Sequence, residues 1–150
     1  MEVLYNFYFG NEDDSRSKTL IEAIAEKGKK MYFLSYVLPD APDSLLVGFT
    51  QTQTEWCEKN EYEIWKFMND KDLLYKNDYM NQKRFLDEGP TTEGMPAGAP
   101  GSIGNWIGLQ VVRKFMKETG NKIPLHELII KYDGKAIFEK AKYRPSKSVF

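Results

Sequence analysis

The chain has 150 residues, 41% of them apolar and 29% charged, enough for one domain that buries about two thirds of its unfolded surface. With 21 basic against 22 acidic side chains the net charge is −1, which supplies no global field to hold nucleic acid or an anionic membrane. A single cysteine, Cys57, excludes an intrachain disulfide and a cysteine-built metal cage, and no apolar run approaches the ~18 residues of a membrane-spanning helix.

Met1 to Phe9 has neither a basic start nor a small-residue cleavage site, so it does not read as a signal peptide, and Val3 to Phe9 alternates only weakly. After a polar break from Gly10 to Ser17, Leu20, Ile24, Gly28, Met31 and Ser35 recur at helical spacing. This predicts a helix from about Ser17 to Leu38, capped by Ser15 or Ser17 and stopped by Pro39, with Lys27, Lys29 and Lys30 on its wet side. Gly28 in its middle costs about 1 kcal/mol relative to Ala, which makes sense where another backbone approaches closely.

Pro39 to Asp43 reads as a turn, with Asp43 or Ser44 capping a short Leu45 to Phe49 helix. Thr50 with Gln53, or Thr52 with Glu55, fits a capping box at the head of a helix from about Gln51 to Met68. Its inward stripe, Cys57, Glu61, Ile64, Trp65 and Met68, sets one carboxylate among apolar groups, so Glu61 needs a partner. Lys71 to Leu86 reads as a less regular helical stretch offering Leu73, Leu74, Tyr79, Phe85 and Leu86 to the core.

The Gly and Pro of Asp87 to Gly101 forbid regular structure and predict a long loop within the domain, functional or a mere linker. Ser102 can then cap a helix from Ile103 to Thr119 that Gly120 ends. Gly104 and Gly108, four apart on a face with Ile107, Val111 and Phe115, allow a neighbour to pack backbone to backbone. Pro124 opens a short helix through Ile130, and Asp133 caps a last one ending before Pro145.

The one histidine opens His126-Glu-Leu-Ile-Ile130, half of the helical zinc motif; Ile130 stands where a second ligand would be needed and has no lone pair to give. Gly98-Ala-Pro-Gly-Ser-Ile-Gly104 ahead of a helix suggests an anion cradle, but it has the spacing of no phosphate loop and reads better as capping with close packing. Glu22 and Glu26, four apart on the first helix, and Glu61 on a later one, could act as acid and base if a cleft separated their pKa values. Surface pairing of Glu22 and Glu26 with Lys18, Lys29 or Lys30, and a hydrogen-bonded Glu61, are the simpler readings. Trp56, Trp65 and Trp106 belong by default to the core. By helical phase Trp56 and Trp106 are the ones expected to be partly exposed, where they could stack on a sugar or peptide.

Five ordered stretches together resemble the gliding-motility lipoprotein GldB family. They are Lys18 to Leu34 with its Glu26-Lys-Gly-Lys-Lys-Met-Tyr-Phe33, Leu38-Pro-Asp-Ala-Pro-Asp-Ser-Leu-Leu-Val-Gly-Phe-Thr50, Glu55-Trp-Cys-Glu-Lys-Asn-Glu-Tyr-Glu-Ile-Trp65, Pro100-Gly-Ser-Ile-Gly-Asn-Trp-Ile-Gly-Leu-Gln-Val-Val-Arg-Lys-Phe-Met116 and Ile137-Phe-Glu-Lys-Ala-Lys-Tyr-Arg-Pro145. The resemblance implies a lipid-anchored envelope protein whose shape is similar to helical zincin-like metallopeptidases, and it implies no proven activity. Against that resemblance, the chain is expected to depart from the family in the leader, the lipid-attachment cysteine and about the N-terminal half. In zincin-like relatives a downstream glutamate completes the metal site, and Glu26 is its loose counterpart here.

The sequence thus predicts a soluble, mainly α-helical single domain spanning residues 1–150, with about five to seven helices, resembling the C-terminal half of a zincin-like domain. The function it favours is a non-catalytic protein-binding or structural module, with no catalytic or metal-ligating residues, no cofactor and no nucleic acid. Its candidate polar cleft comprises Glu26, Glu61, Trp65, Asn105 and Arg113; Gly28, Gly104 and Gly108 are its helix-packing positions. The alternative is part of a metal-dependent hydrolase completed by another chain. Either the first helix or the Gly104–Gly108 face is expected to join a second copy or another protein, since an apolar face left uncovered seeks a partner. The expected location is cytoplasmic if Met1 is the natural start, and the cell envelope if the chain is a fragment of a GldB-like lipoprotein.

Overall fold

The computed structural model describes residues 19–145, apart from residues 71, 93 and 97 and the side chain of Asn81. The fold is mainly helical. Among the described residues there are eight helices and no strand: α1 (Leu20–Val37), α2 (Asp43–Val47), α3 (Gln51–Lys59), α4 (Glu61–Asp70), α5 (Tyr79–Leu86), α6 (Ile103–Glu118), α7 (Leu125–Lys131) and α8 (Gly134–Ala141). The weak alternation of Val3 to Phe9 lies outside the described residues, as do Ser15 and Ser17. None of the described helices is long and apolar enough to cross a membrane.

The helix count exceeds the expected five to seven partly because the segment from Gln51 to Met68 is two helices. Asn60 divides them: its side-chain amide donates to the Trp56 carbonyl at 2.8 Å, while its own carbonyl accepts from Ile64 N–H and starts α4. An asparagine that bonds locally to backbone competes with helix continuation. The capping box at Thr50 and Gln53 is formed at the head of α3.

The centre of the molecule is α6, packed most extensively against α1 and α8, which also pack on each other. Ten of its residues are buried, including Trp106, Leu109 and Val112 beside the expected stripe. A helix covered on most sides keeps only a narrow wet face, here that of Lys114, Lys117 and Glu118, so Trp106, 2% exposed, belongs to the core by its default reading and is not partly exposed as its phase suggested. At the α1–α6 crossing a Cβ on Gly28 would lie 2.1 Å from the Gly108 carbonyl oxygen, and one on Gly108 would lie 2.2 Å from the Ile24 carbonyl oxygen. Gly104 is similarly tight against the Phe85 carbonyl of α5. The Gly104–Gly108 face is therefore filled by α1 and α5 of the same chain, which corrects its expected use as a docking face for a second copy or another protein. Gly134 brings the start of α8 equally close to α1, its Cβ position being 2.4 Å from the Glu22 carbonyl oxygen.

Helix starts depart from several sequence expectations. Thr19, not an upstream serine, caps α1 by accepting from Glu22 N–H, and the Leu20 and Ile21 amides donate to the carbonyls of Lys76 and Leu74. Residues 72–78 are accordingly not helical; they strap the head of α1, and α5 begins only after the Asp78 cap, leaving Tyr79 exposed. No side chain caps α2, because the Asp43 carboxylate accepts two bonds from Arg113 instead. Ser102 has a left-handed backbone and does not cap α6; the buried Thr92 hydroxyl accepts from Ile103 N–H and donates to the Pro100 carbonyl. That bond, and a Gly101 packed on the Gly89 backbone, fold the long loop back upon itself. Lys29, expected on the wet side, is buried, for reasons that emerge at the end of α7.

An added methyl at Gly28 has only backbone to push against. Gly28→Ala should therefore destabilise by at least the upper part of the roughly 1–3 kcal/mol typical of overpacking, seen as a lower urea midpoint with unchanged slope.

Candidate functional site

The helix α8 is about 12 Å long at ~1.5 Å per residue, and each end is tied differently. At its start the Gly134 N–H donates to the Glu26 carboxylate at 3.0 Å, and Glu26 pairs at 3.0 Å with Lys29. Lys29 also donates to the carbonyls of Ile129 and Tyr132 at the end of α7, at 3.2 and 2.9 Å. An ammonium at a helix C-terminus and a carboxylate at a helix N-terminus both match the helix dipoles. This arrangement gives a lysine only 2% exposed three polar partners among core residues, two carbonyls and a carboxylate.

At its other end α8 stops in a left-handed turn at Lys142, φ 51° and ψ 44°. For a residue with a Cβ that conformation costs on the order of 1 kcal/mol, and glycine or asparagine is the usual occupant. The turn carries Tyr143 inward, where its ring meets Trp65 of α4 edge-on at 4.9 Å and its hydroxyl donates to the Glu61 carboxylate. Burial, then the charge and hydrogen bond of Glu61, push the Tyr143 phenol well above its ordinary value. Phe138 adds a second wall, 5.9 Å from Trp65 and 6.3 Å from Tyr75.

Two cavities open around this aromatic group. The larger, 720 Å³, is lined by Trp65, Tyr75 and Phe138 with Lys142, Tyr143 and Arg144 among its other walls. The smaller, 290 Å³, is lined by Glu61, Arg113, Lys114, Lys117, Tyr143 and Arg144 with Gln110 and Pro145. Tyr143 and Arg144 belong to both. Arg113 is held by the bidentate bond to Asp43, at 2.7 and 2.8 Å, which keeps the Asp43 carboxyl below its ordinary range. Lys114 pairs with Glu118 at 2.7 Å and, by that hydrogen bond first, lowers the Glu118 carboxyl; Lys142 and Lys117 add to the same effect through charge.

Of the five residues expected to form a polar cleft, three meet here. Glu61 and Arg113 line the smaller cavity, and Trp65 lines the larger. Glu26 lies at the opposite end of α8, and Asn105, near the start of α6, lines neither cavity; its buried side-chain oxygen has no hydrogen-bond partner among the described residues. The partner that Glu61 needs on its inward stripe is the Tyr143 hydroxyl. Glu22 accepts a bond from Thr19 at 3.0 Å, and His126 is exposed on α7. No group of three His, Cys, Asp or Glu side chains among the described residues is placed to hold a metal. Trp56 is half-buried under Gly98, and Cys57 is fully buried, its thiol pushed up to about 12 by burial and the nearby Glu58.

The residues that sequence reasoning missed are Tyr143, Phe138 and Lys142. Their signal was faint: an aromatic pair near the end of a short helix, and no glycine where the helix must turn.

The model of the gliding motility protein GldB family matches residues 1–145, a stretch that includes every residue lining the two cavities. The chain belongs to the GldB family. No curated protein and no solved structure matches it. In this GldB-family chain Glu26, the residue loosely matched to a metal-completing glutamate, has its carboxylate engaged by Lys29 and Gly134.

Lys29→Met should strand the Glu26 carboxylate and two carbonyls in the interior and destabilise by roughly 3–5 kcal/mol. Adding Glu26→Gln to that variant should recover a large part of the loss, a coupling that a double-mutant cycle by chemical denaturation reads directly.

Proposed function

We propose that this GldB-family chain is a non-catalytic protein-binding module, and that it binds its partner through the cleft around Tyr143. The observation that carries this reading is the aromatic surface of Trp65, Tyr75 and Phe138, set on α4, α8 and the strap before α5 and left partly open. Tyr75 is 58% exposed, and Trp65 and Phe138 are only partly covered. Aromatic side chains held by helices at a concave surface, with charged residues at the margin, are the usual anchors of protein recognition.

The carboxylates that acid–base chemistry would draw on are engaged elsewhere. Glu26 is fixed between an ammonium and a backbone amide, and Glu61 accepts a hydrogen bond from a phenol that stays protonated at neutral pH. Each has a structural task that is complete without a substrate. The partner that suits the cleft is a protein segment, because the opening offers both an apolar recess and hydrogen-bonding charge along its edge.

A photo-crosslinking residue in place of Tyr75 should join the chain in cells to one defined protein, identified by mass spectrometry, whereas the same residue at the exposed Ile130 should not. Trp65→Ala or Phe138→Ala should reduce the Tyr75 adduct by roughly 30-fold, the loss that a hot-spot side chain worth about 2 kcal/mol carries. Adducts of equal yield from both positions, or untouched by both alanine variants, would contradict the reading.

A further inference from the structure

Lys142 is an unusual residue for its place. Among the described residues four non-glycines have positive φ; Asp72 and Asn121 are of types that tolerate it, and Ser102 is buried, but Lys142 is a long exposed cation. Glycine would make the same turn into Tyr143 without strain, and would leave no charge at the mouth of the larger cavity. A strained residue at a cleft is a pointer to function when the strain delivers a side chain that the easier residue lacks.

The charges around it agree. Lys117, Lys142 and Arg144 line the two cavities with no carboxylate at ion-pair distance among the described residues, while the neighbouring Arg113 and Lys114 are matched by Asp43 and Glu118. The acidic groups on the linings are Glu139 and Glu61, the latter already bonded to Tyr143. The opening is thus aromatic within and cationic at its edge, on a chain whose net charge is −1.

We propose that the Tyr143 cleft recognises an acidic segment of its partner protein that carries an aromatic or large aliphatic side chain between carboxylates. The apolar side chain enters the cavity walled by Trp65, Tyr75 and Phe138, and the carboxylates meet Lys117, Lys142 and Arg144. This rests on the cleft being a protein-binding surface. A phosphate backbone is held by a longer run of cations, and a membrane by a convex apolar face; here the apolar surface is concave, and the three cations are divided between two cavities that share Tyr143 and Arg144.

The test uses the full chain and a short fluorescein-labelled peptide of alternating Glu and Phe, with counterparts carrying Gln or Lys in place of Glu, and phosphatidylglycerol vesicles as a separate arm. The Glu peptide should bind at least about tenfold tighter than the Gln peptide, and the margin should shrink as salt rises. Lys142→Gly should weaken Glu-peptide binding about three- to tenfold while raising the melting temperature by roughly 3 °C, a pairing that a purely structural role for this residue does not produce. Lys117→Gln with Arg144→Gln should remove most of the remaining preference for Glu. Equal binding of the Glu and Gln peptides, unchanged binding by Lys142→Gly, or vesicles bound in preference to the Glu peptide would overturn the proposal. If peptides bind through Phe regardless of charge and are lost in Trp65→Ala, the cleft remains a protein-binding surface and only its acidic preference falls. If no peptide binds and the Tyr75 crosslink is also absent, both readings fall.

Discussion

Where α1 crosses α6, the backbone of Gly28 lies against the carbonyl of Gly108, and neither position has room for a single added carbon. Two helices that approach this closely lock their relative register, because any larger residue at the contact separates them along much of their length. The consequence spreads outward. With α1 seated on α6, Ile24, Ile107, Val111 and Phe115 close into one apolar core, and α8 can lie across both helices by way of Gly134.

That seating decides where the cleft stands. One end of α8 is pinned to α1 by Glu26 and Lys29, and the other is pinned to α4 by Tyr143 and Glu61. Both ties are buried or half-buried hydrogen bonds to a charged group, the kind that costs most when one partner is lost. Between the two ends the helix presents Phe138 toward Trp65 and Tyr75, so two of the three aromatic walls of the recess are set on helices. Recognition from a preformed recess loses less conformational entropy than recognition by a surface that must first be ordered.

Much of the helical pattern was readable because periodicity and caps are local properties. The Gly28, Leu20 and Ile24 spacing, the Thr50–Gln53 box and the Asp133 cap all depend on residues within one or two turns. What could not be read depends on distant partners. Lys29 looks like a solvated lysine until α7 brings its final carbonyls to it; Ser102 looks like a cap until Thr92 supplies the hydroxyl; Asp43 looks like a cap until Arg113 claims it. Trp106 misled for a related reason, since helical phase gives the direction of a side chain but not the number of neighbours around the helix. At the cleft, Glu61 and Trp65 were legible as groups on an inward stripe, and Arg113 as a candidate polar group on the helix from Ile103 to Thr119. Tyr143 and Lys142 were not, because their importance comes from a left-handed turn that no local rule assigns to a lysine.

Native-state hydrogen exchange followed amide by amide tests most directly the claim that the α1–α6 crossing organises the fold. The backbone amides flanking the crossing, from Ile24 to Phe33 and from Ile107 to Phe115, should be the slowest to exchange and should open only with global unfolding, while α5 and the loop beyond it open earlier. Protection that is highest in α3 or α5, with the α1 and α6 amides exchanging through cheaper local openings, would contradict it.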